Sequence, residues 1–199
     1  MDNRTNYPNY DVMDEQAHWD AHTRQIVQKR LATPGSFAKL TSEEVDAIRA
    51  MAALLVDDGR SFLLDYIVDH FNAKLISDSG EGQRQAGVPE LHALLKQGLA
   101  ALEALAQKRN ASSYPALRPQ LQLELLMELE DGTVKLIAPN GDQIPARAFF
   151  QKMLTETVSA YYSHPTVWSE IGYGGPAYPR GYVRSELGLT DPWEARKDG

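Results

Sequence analysis

The chain has 199 residues, 43% of them hydrophobic and 24% charged, the composition of one soluble globular domain and not of a chain disordered along its length. Its 20 basic and 27 acidic residues give a net charge of −7, the wrong sign for a general polyanion binder, so nucleic acid is excluded as a first partner. There is no cysteine, which removes disulfides, thiolate nucleophiles, iron–sulfur ligation by this chain and the usual structural zinc sites.

No apolar run approaches the roughly 18 residues of a spanning helix, so no direct membrane insertion is expected. The opening Met1-Asp2-Asn3-Arg4 has neither a basic nor an apolar leader segment, so the sequence predicts no export signal here.

A 3.6-residue period runs through most of the chain up to about residue 162 and predicts six helices. The first runs from about Glu15 or Ala21 to Leu31, with Ile26, Val27 and Leu31 on one side and Asp14 or Asp20 as its cap. Thr41 and Glu44 form a Thr-x-x-Glu capping box for the second, which carries Val45, Ile48, Ala52, Leu55 and Val56 and stops at Asp58-Gly59. A third spans about Ser61–Ile76. A polar loop from about Ser77 to Gly87 follows, and Pro89 is placed in the first turn of a fourth helix that reaches about Lys108. The fifth covers about Pro119–Glu130, with Gly132 at the left-handed cap position. Leu136, Ile137 and the Pro139-Asn140-Gly141 run suggest a small hairpin or an irregular turn before a sixth helix over about Ala146–Tyr162.

Beyond Pro165 the pattern changes. Apart from a helical turn around Thr166–Ile171, the Gly-, Pro- and Tyr-rich string to Tyr182 fits neither a regular helix nor a central strand. Residues 161–199 hold five of the nine tyrosines and two of the three tryptophans. Trp168, Tyr173, Tyr178 and Tyr182 alone represent roughly 800 Å² of aromatic surface, more than a monomer leaves exposed as one patch. Something covers them, either this chain's own helices or another polypeptide. The fold class expected is therefore all-α: a single compact bundle of about six helices over residues 1–163, of which 1–37 form an N-terminal segment with the first helix, and an extended aromatic arm over 164–199.

Catalytic patterns are sparse by comparison. His18 and His22 lie four residues apart with Asp20 between them. On a helix both imidazoles would share a face and bind a divalent metal, although no third ligand is near. His70 and His92 read as surface or packing residues. His164 stands before Pro165 and six residues before Glu170, a spacing that suggests an acid–base pair or a charge complement at a helix end. Gly172, Gly174 and Gly175 match a phosphate loop in composition alone, because no strand precedes them. The paired acids Asp57-Asp58, and Glu124 with Glu128 and Glu130, read as solvated helix ends. Contact chemistry outweighs catalytic chemistry, which favours a binding subunit over an enzyme.

The stretch His164-Pro165-Thr166-Val167-Trp168-Ser169-Glu170-Ile171-Gly172-Tyr173-Gly174-Gly175-Pro176-Ala177-Tyr178-Pro179-Arg180-Gly181-Tyr182-Val183-Arg184 resembles the C-terminal signature of the gluconate 2-dehydrogenase subunit 3 family. The resemblance reaches upstream through the helix start at Leu40, Arg84 to Pro89, Ala148-Phe149-Phe150 and Tyr161-Tyr162, and His18-Trp19-Asp20 with Thr23-Arg24 is similar to the beginning of related sequences. It implies a small, non-catalytic subunit that pairs with a large FAD-containing subunit of the glucose–methanol–choline type, which oxidises a sugar or sugar acid such as gluconate. A cytochrome c subunit often receives the electrons. FAD and the catalytic base would belong to the large subunit, and this chain would bind no cofactor itself. The family's small subunit commonly carries a twin-arginine signal and works in the periplasm; with no such signal visible here, the cytoplasm also stays open.

On this reading the arm lies over the FAD subunit. Trp168, Tyr173 and Tyr178 are the expected anchors, Arg180 and Arg184 the rim contacts, and Ile171, Gly174, Gly175 and Tyr182 complete the contact set. Two rivals are an autonomous metal-dependent enzyme using His18 and His22, and a stand-alone helical interaction protein whose arm docks on its own domain.

Overall fold

In the computed structural model of the protein, residues 5–77, 86–184, 186 and 188–196 are described. Most of the expected Ser77–Gly87 loop, and Arg84 of the upstream motif, lie outside them. Internal contacts group the chain into two compact units, residues 34–160 and residues 1–33 together with 161–199. The first 33 residues thus go with the arm, whereas the sequence boundary at 163–164 had them in the helical domain.

Among the described residues eight helical segments account for the all-α architecture, two more than the periodicity predicts. One addition is a 3-10 helix over Val12–His18, capped by the Asp11 side chain. The other is a seven-residue helix over Pro165–Ile171, where the sequence leads us to expect a helical turn. The first expected helix is split accordingly: the chain is extended at Trp19 and Asp20, and α1 begins at Ala21 and ends at Lys29. The Asp20 carboxylate takes the N–H groups of His22 and Thr23, satisfying two orphan donors. Of the apolar side expected for α1, Val27 is buried, while Ile26 and Leu31 are exposed.

In the unit formed by residues 34–160, α2 (Ser42–Leu55) starts at the capping box the sequence announces, with Thr41 and Glu44 bonded reciprocally. It packs against α3 (Ser61–Ile76), α4 (Leu91–Lys108) and α5 (Pro119–Asp131). Pro89 lies outside α4, not in its first turn, because Glu90 is still extended at φ −58°, ψ 151° and serves as the cap. Gly132 takes the left-handed cap, φ 68°. The hairpin is real but minimal: β1 (Leu136–Ile137) pairs antiparallel with β2 (Gln143–Ile144), Leu136 opposite Ile144, and both pack on α4. α6 (Ala146–Tyr161) follows.

Sequence periodicity does not reveal how α4 and α6 meet. A Cβ built on Gly98 of α4 would lie 2.2 Å from Cδ2 and 2.9 Å from Cγ of Phe149 on α6, and that ring is fully buried. The missing side chain is therefore what admits the ring. Tyr114, also fully buried, holds the connection between α4 and α5: its N–H donates to Glu103 (3.0 Å), while the Gln122 amide donates to the carbonyls of Pro115 and Leu117. Burial raises the pKa of both the Tyr114 hydroxyl and the Glu103 carboxyl.

A polar clamp links α3 to α6. His70 Nε2 stands 2.8 Å from Oε2 of Glu156, a buried carboxylate that Lys74 approaches to 3.4 Å. The hydrogen bond with His70 holds the Glu156 pKa below the usual carboxylate value, and the charge of Lys74 adds to it against the opposing effect of burial. Asp58, expected at a solvated helix end, is instead buried and holds the Arg60 guanidinium at 2.6 Å.

Two outcomes follow from this packing. Gly98→Ala gains about 1 kcal/mol of helix propensity but forces the Phe149 ring to move at an overpacking cost of about 1–3 kcal/mol, so thermal unfolding should shift downward; an unchanged or higher Tm would show that α6 yields freely. Because the folded pKa of Glu156 is depressed, its contribution is present above the ordinary value of 4.5 and is lost as pH falls through the folded value. Glu156→Gln should lower stability at pH 7 by about 1 kcal/mol and flatten the acid limb of a stability–pH curve measured by urea unfolding.

Candidate functional site

The unit formed by residues 1–33 and 161–199 contains every residue the sequence singled out for contact, and all three tryptophans. Its core is made by Val12 of the 3-10 helix, Trp19, Val27 of α1 and Trp168 of the Pro165–Ile171 helix, α7, with Tyr10 and Met13 packed against them. Trp168 is 5% exposed. Its indole Nε1–H donates to the Tyr162 carbonyl at 2.6 Å, its ring meets Tyr173 edge-on at 5.4 Å, and the Arg30 guanidinium lies 5.3 Å from its centroid. Arg30 also donates to the Ser163 carbonyl at 2.9 Å. Trp168 therefore anchors the arm within this unit and leaves almost nothing of its ring for a second chain.

The turn after α7 shows why glycines stand there. Gly175 has φ +77°, and a Cβ on it would meet Trp19 Cζ2 at 2.8 Å and Val12 Cγ2 at 3.2 Å. A side chain there is strained by its backbone and obstructed by its neighbours at once. At Gly174 a Cβ would lie 2.6 Å from Trp193 Cδ1, and at Gly172 2.5 Å from Tyr7 Cε2. These glycines allow aromatic rings to approach the backbone, a role with no resemblance to phosphate binding.

Arg180, expected at a solvated rim, has a side chain that is 7% exposed. Its guanidinium lies 4.5 Å from the Trp193 centroid, donates through Nη2 to the Gly174 carbonyl, and stands 3.7 Å from Oε2 of Glu15. Beside it the Tyr10 hydroxyl donates to the Trp193 carbonyl at 2.7 Å; burial first, and the Glu15 charge second, push its pKa up to about 12, so it remains a donor across the physiological range. Asp191 is fully buried and its Oδ1 accepts the N–H groups of Val183 and Arg184 at 2.7 and 2.8 Å. Tyr10, Trp19, Asp191 and Trp193 were not among the expected site residues; the partners they find are separated from them by turns that have no period to read.

The outer face is different. Tyr178 is 70% and Tyr182 64% exposed, with Ile171, Tyr173 and Val183 also open to solvent. Arg184 is exposed, and its guanidinium lies 5.8 Å from the Tyr182 centroid. The expected contact set thus separates in two: Trp168, Gly174, Gly175 and Arg180 face inward, and Ile171, Tyr173, Tyr178, Tyr182 and Arg184 face outward.

The histidine readings change with the helix boundaries. His18 ends the 3-10 helix and His22 opens α1, so the shared face of one helix does not form. His18 stands 3.8 Å from Glu15, and among the described residues no group of three His, Asp or Glu could hold a metal ion. His164 is the cap of α7, its Nδ1 accepting the Thr166 N–H at 3.2 Å. An imidazole nitrogen that accepts a backbone N–H in a buried ring starts a helix, which replaces the charge complement expected at a helix end.

Gly175→Ala should open this unit selectively. The expected outcome is red-shifted tryptophan emission and faster proteolysis of the arm, with far-ultraviolet circular dichroism close to wild type, since the helices of residues 34–160 carry most of that signal. An unchanged emission maximum would mean that the arm's seat tolerates a Cβ.

No helix among the described residues is long and apolar enough to cross a membrane. Comparison with known families gives a match of the profile described as gluconate 2-dehydrogenase subunit 3 to residues 43–175, about two thirds of the chain. Neither the curated proteins nor the solved structures gave a match. The chain belongs to the gluconate 2-dehydrogenase subunit 3 family, whose description is that of one subunit of a dehydrogenase and implies partner subunits.

Proposed function

We propose, with that membership as premise, that this chain is a non-catalytic small subunit that binds and supports a large FAD-containing dehydrogenase subunit of the glucose–methanol–choline type. The large subunit would hold the FAD and oxidise a sugar or sugar acid such as gluconate, a cytochrome c subunit would take the electrons onward, and the complex would work in the periplasm. The observation that carries the reading is the outward face of the arm. Two tyrosines that expose 70% and 64% of their surface stand on a backbone fixed from behind by Trp168, Arg180 and Asp191. Aromatic side chains on a rigid support suit an interface, because little conformational freedom is left to lose on association.

A stand-alone protein with a self-docked arm accounts for the buried inner face, since Trp168 and Arg180 find their partners within the chain. It leaves Tyr178 and Tyr182 without a role. The two readings differ in what happens when the outer face is removed.

Co-expression with the neighbouring flavin oxidoreductase and capture through an affinity tag on this chain tests the proposal. Tyr178→Ala with Tyr182→Ala should reduce recovery of the flavin subunit about tenfold or more, as expected when hot-spot residues worth about 2 kcal/mol are lost, while tryptophan emission stays at the wild-type value. Full recovery of the flavin subunit by the double variant would sink the arm as its docking face.

A further inference from the structure

We propose that Asn140 is a site of self-modification: at the tip of the β1–β2 hairpin its side-chain amide closes onto the Gly141 nitrogen to form a succinimide, and water opens that ring to aspartate or isoaspartate, with Asp142 holding both ends of the amide as it reacts. The proposal stands on this turn alone and does not depend on the flavin partner.

Six asparagines occur in the chain, and only Asn140 is followed by glycine. The difference matters because the nucleophile is the backbone nitrogen of the next residue, and a Cβ beside that nitrogen obstructs its approach to the side-chain carbon. Gly141 has no Cβ, takes φ +90°, and has open space where a Cβ would stand. Asn140 and Gly141 are both exposed, so solvent reaches the reacting atoms. Asn72, by contrast, is buried in α3 with its side-chain oxygen accepting the Lys39 N–H, and Asn110 is followed by alanine.

The reaction balances without a cofactor or a change of oxidation state. The Gly141 nitrogen gives its proton to solvent hydroxide and bonds to Asn140 Cγ. The Cγ–Nδ2 bond breaks, and Nδ2, protonated by water, leaves as ammonia. Water then adds to the ring. Opening between Cγ and the Gly141 nitrogen gives aspartate, and opening between the main-chain carbonyl carbon of Asn140 and that nitrogen gives isoaspartate.

Charge develops at both ends of the amide in the first step, negative on Oδ1 and positive on the departing nitrogen, and Asp142 meets each. Its N–H donates to Asn140 Oδ1 at 3.1 Å, and its Oδ2 accepts from Nδ2 at 2.8 Å. Contacts of this kind strengthen as the charge appears. The bond that must open is the one from the Gly141 N–H to the Ala138 carbonyl, 2.9 Å, a neutral hydrogen bond roughly half as strong as a charge-assisted one. The product reaches the rest of the fold through the hairpin. Isoaspartate adds a backbone carbon to the connection between β1 and β2, whose buried Leu136 and Ile144 belong to strands that pack on α4.

Peptide mapping by tandem mass spectrometry, after the full chain is aged in heavy-oxygen water at mildly alkaline pH, tests this. The mass gain of an amide-to-acid conversion should appear at Asn140 at least about tenfold faster than at Asn110. It should carry solvent oxygen and divide between two chromatographically separate peptides, the aspartate and the isoaspartate forms. Asp142→Ser, which keeps the backbone N–H and removes the carboxylate, should slow the conversion at least about threefold, with circular dichroism unchanged. Conversion at Asn140 no faster than at Asn110, aspartate as the sole product, or the wild-type rate in Asp142→Ser overturns the proposal.

Discussion

The indole of Trp168 packs against Val12, Trp19 and Val27 and donates its only polar hydrogen to the Tyr162 carbonyl, and the seating of the arm rests on that arrangement. Residues from the first 27 positions and from position 168 make one core, so neither end of the chain can bury its apolar surface without the other. The glycine at 175 is the complementary constraint. Its positive φ turns the chain back, and its missing side chain leaves the space that Trp19 and Val12 occupy. Truncating a buried tryptophan costs about 3–5 kcal/mol, and a core this small has few other large side chains to offset such a loss.

From that seat the arm acquires two faces with different chemistry. Arg180 and Asp191 lie inward, where desolvation is offset by a carbonyl, a carboxylate and an indole face for the arginine, and by two backbone N–H groups for the aspartate. These buried polar contacts fix the direction in which the intervening residues point. Tyr178, Tyr182 and Arg184 are thereby turned to solvent. A contact face in a small subunit gains from such support, since a floppy arm would lose on binding the ordering entropy that this one has already lost on folding.

The unit formed by residues 34–160 solves a simpler problem. Its helices bury Leu, Ile and Phe side chains at helical spacing, and its polar clamps, His70 with Glu156 and Arg109 with Glu128 at 2.5 Å, join elements that periodicity places separately. The family match runs from residue 43, within this unit, to Gly175, so it includes Gly172 and Gly175 but not Tyr7, Val12 and Trp19, which occupy the space those two glycines leave.

Local signals in the sequence determined the helices of residues 34–160 and several of their ends. The capping box at Thr41, the helix of Ser61–Ile76, Pro119 at the start of α5 and the left-handed Gly132 depend on neighbours within a few residues, and such neighbours are legible from spacing alone. The aromatic and glycine content of the arm, and the family it resembles, were legible for the same reason. Tertiary structure alone decided which aromatics turn inward. Trp168 and Tyr178 are ten residues apart in one string, yet one is 5% and the other 70% exposed, because burial was set by Val12, Trp19 and Val27, well over a hundred residues away. Pairings at that distance follow from shape and from the satisfaction of buried polar groups, and neither leaves a period in the chain.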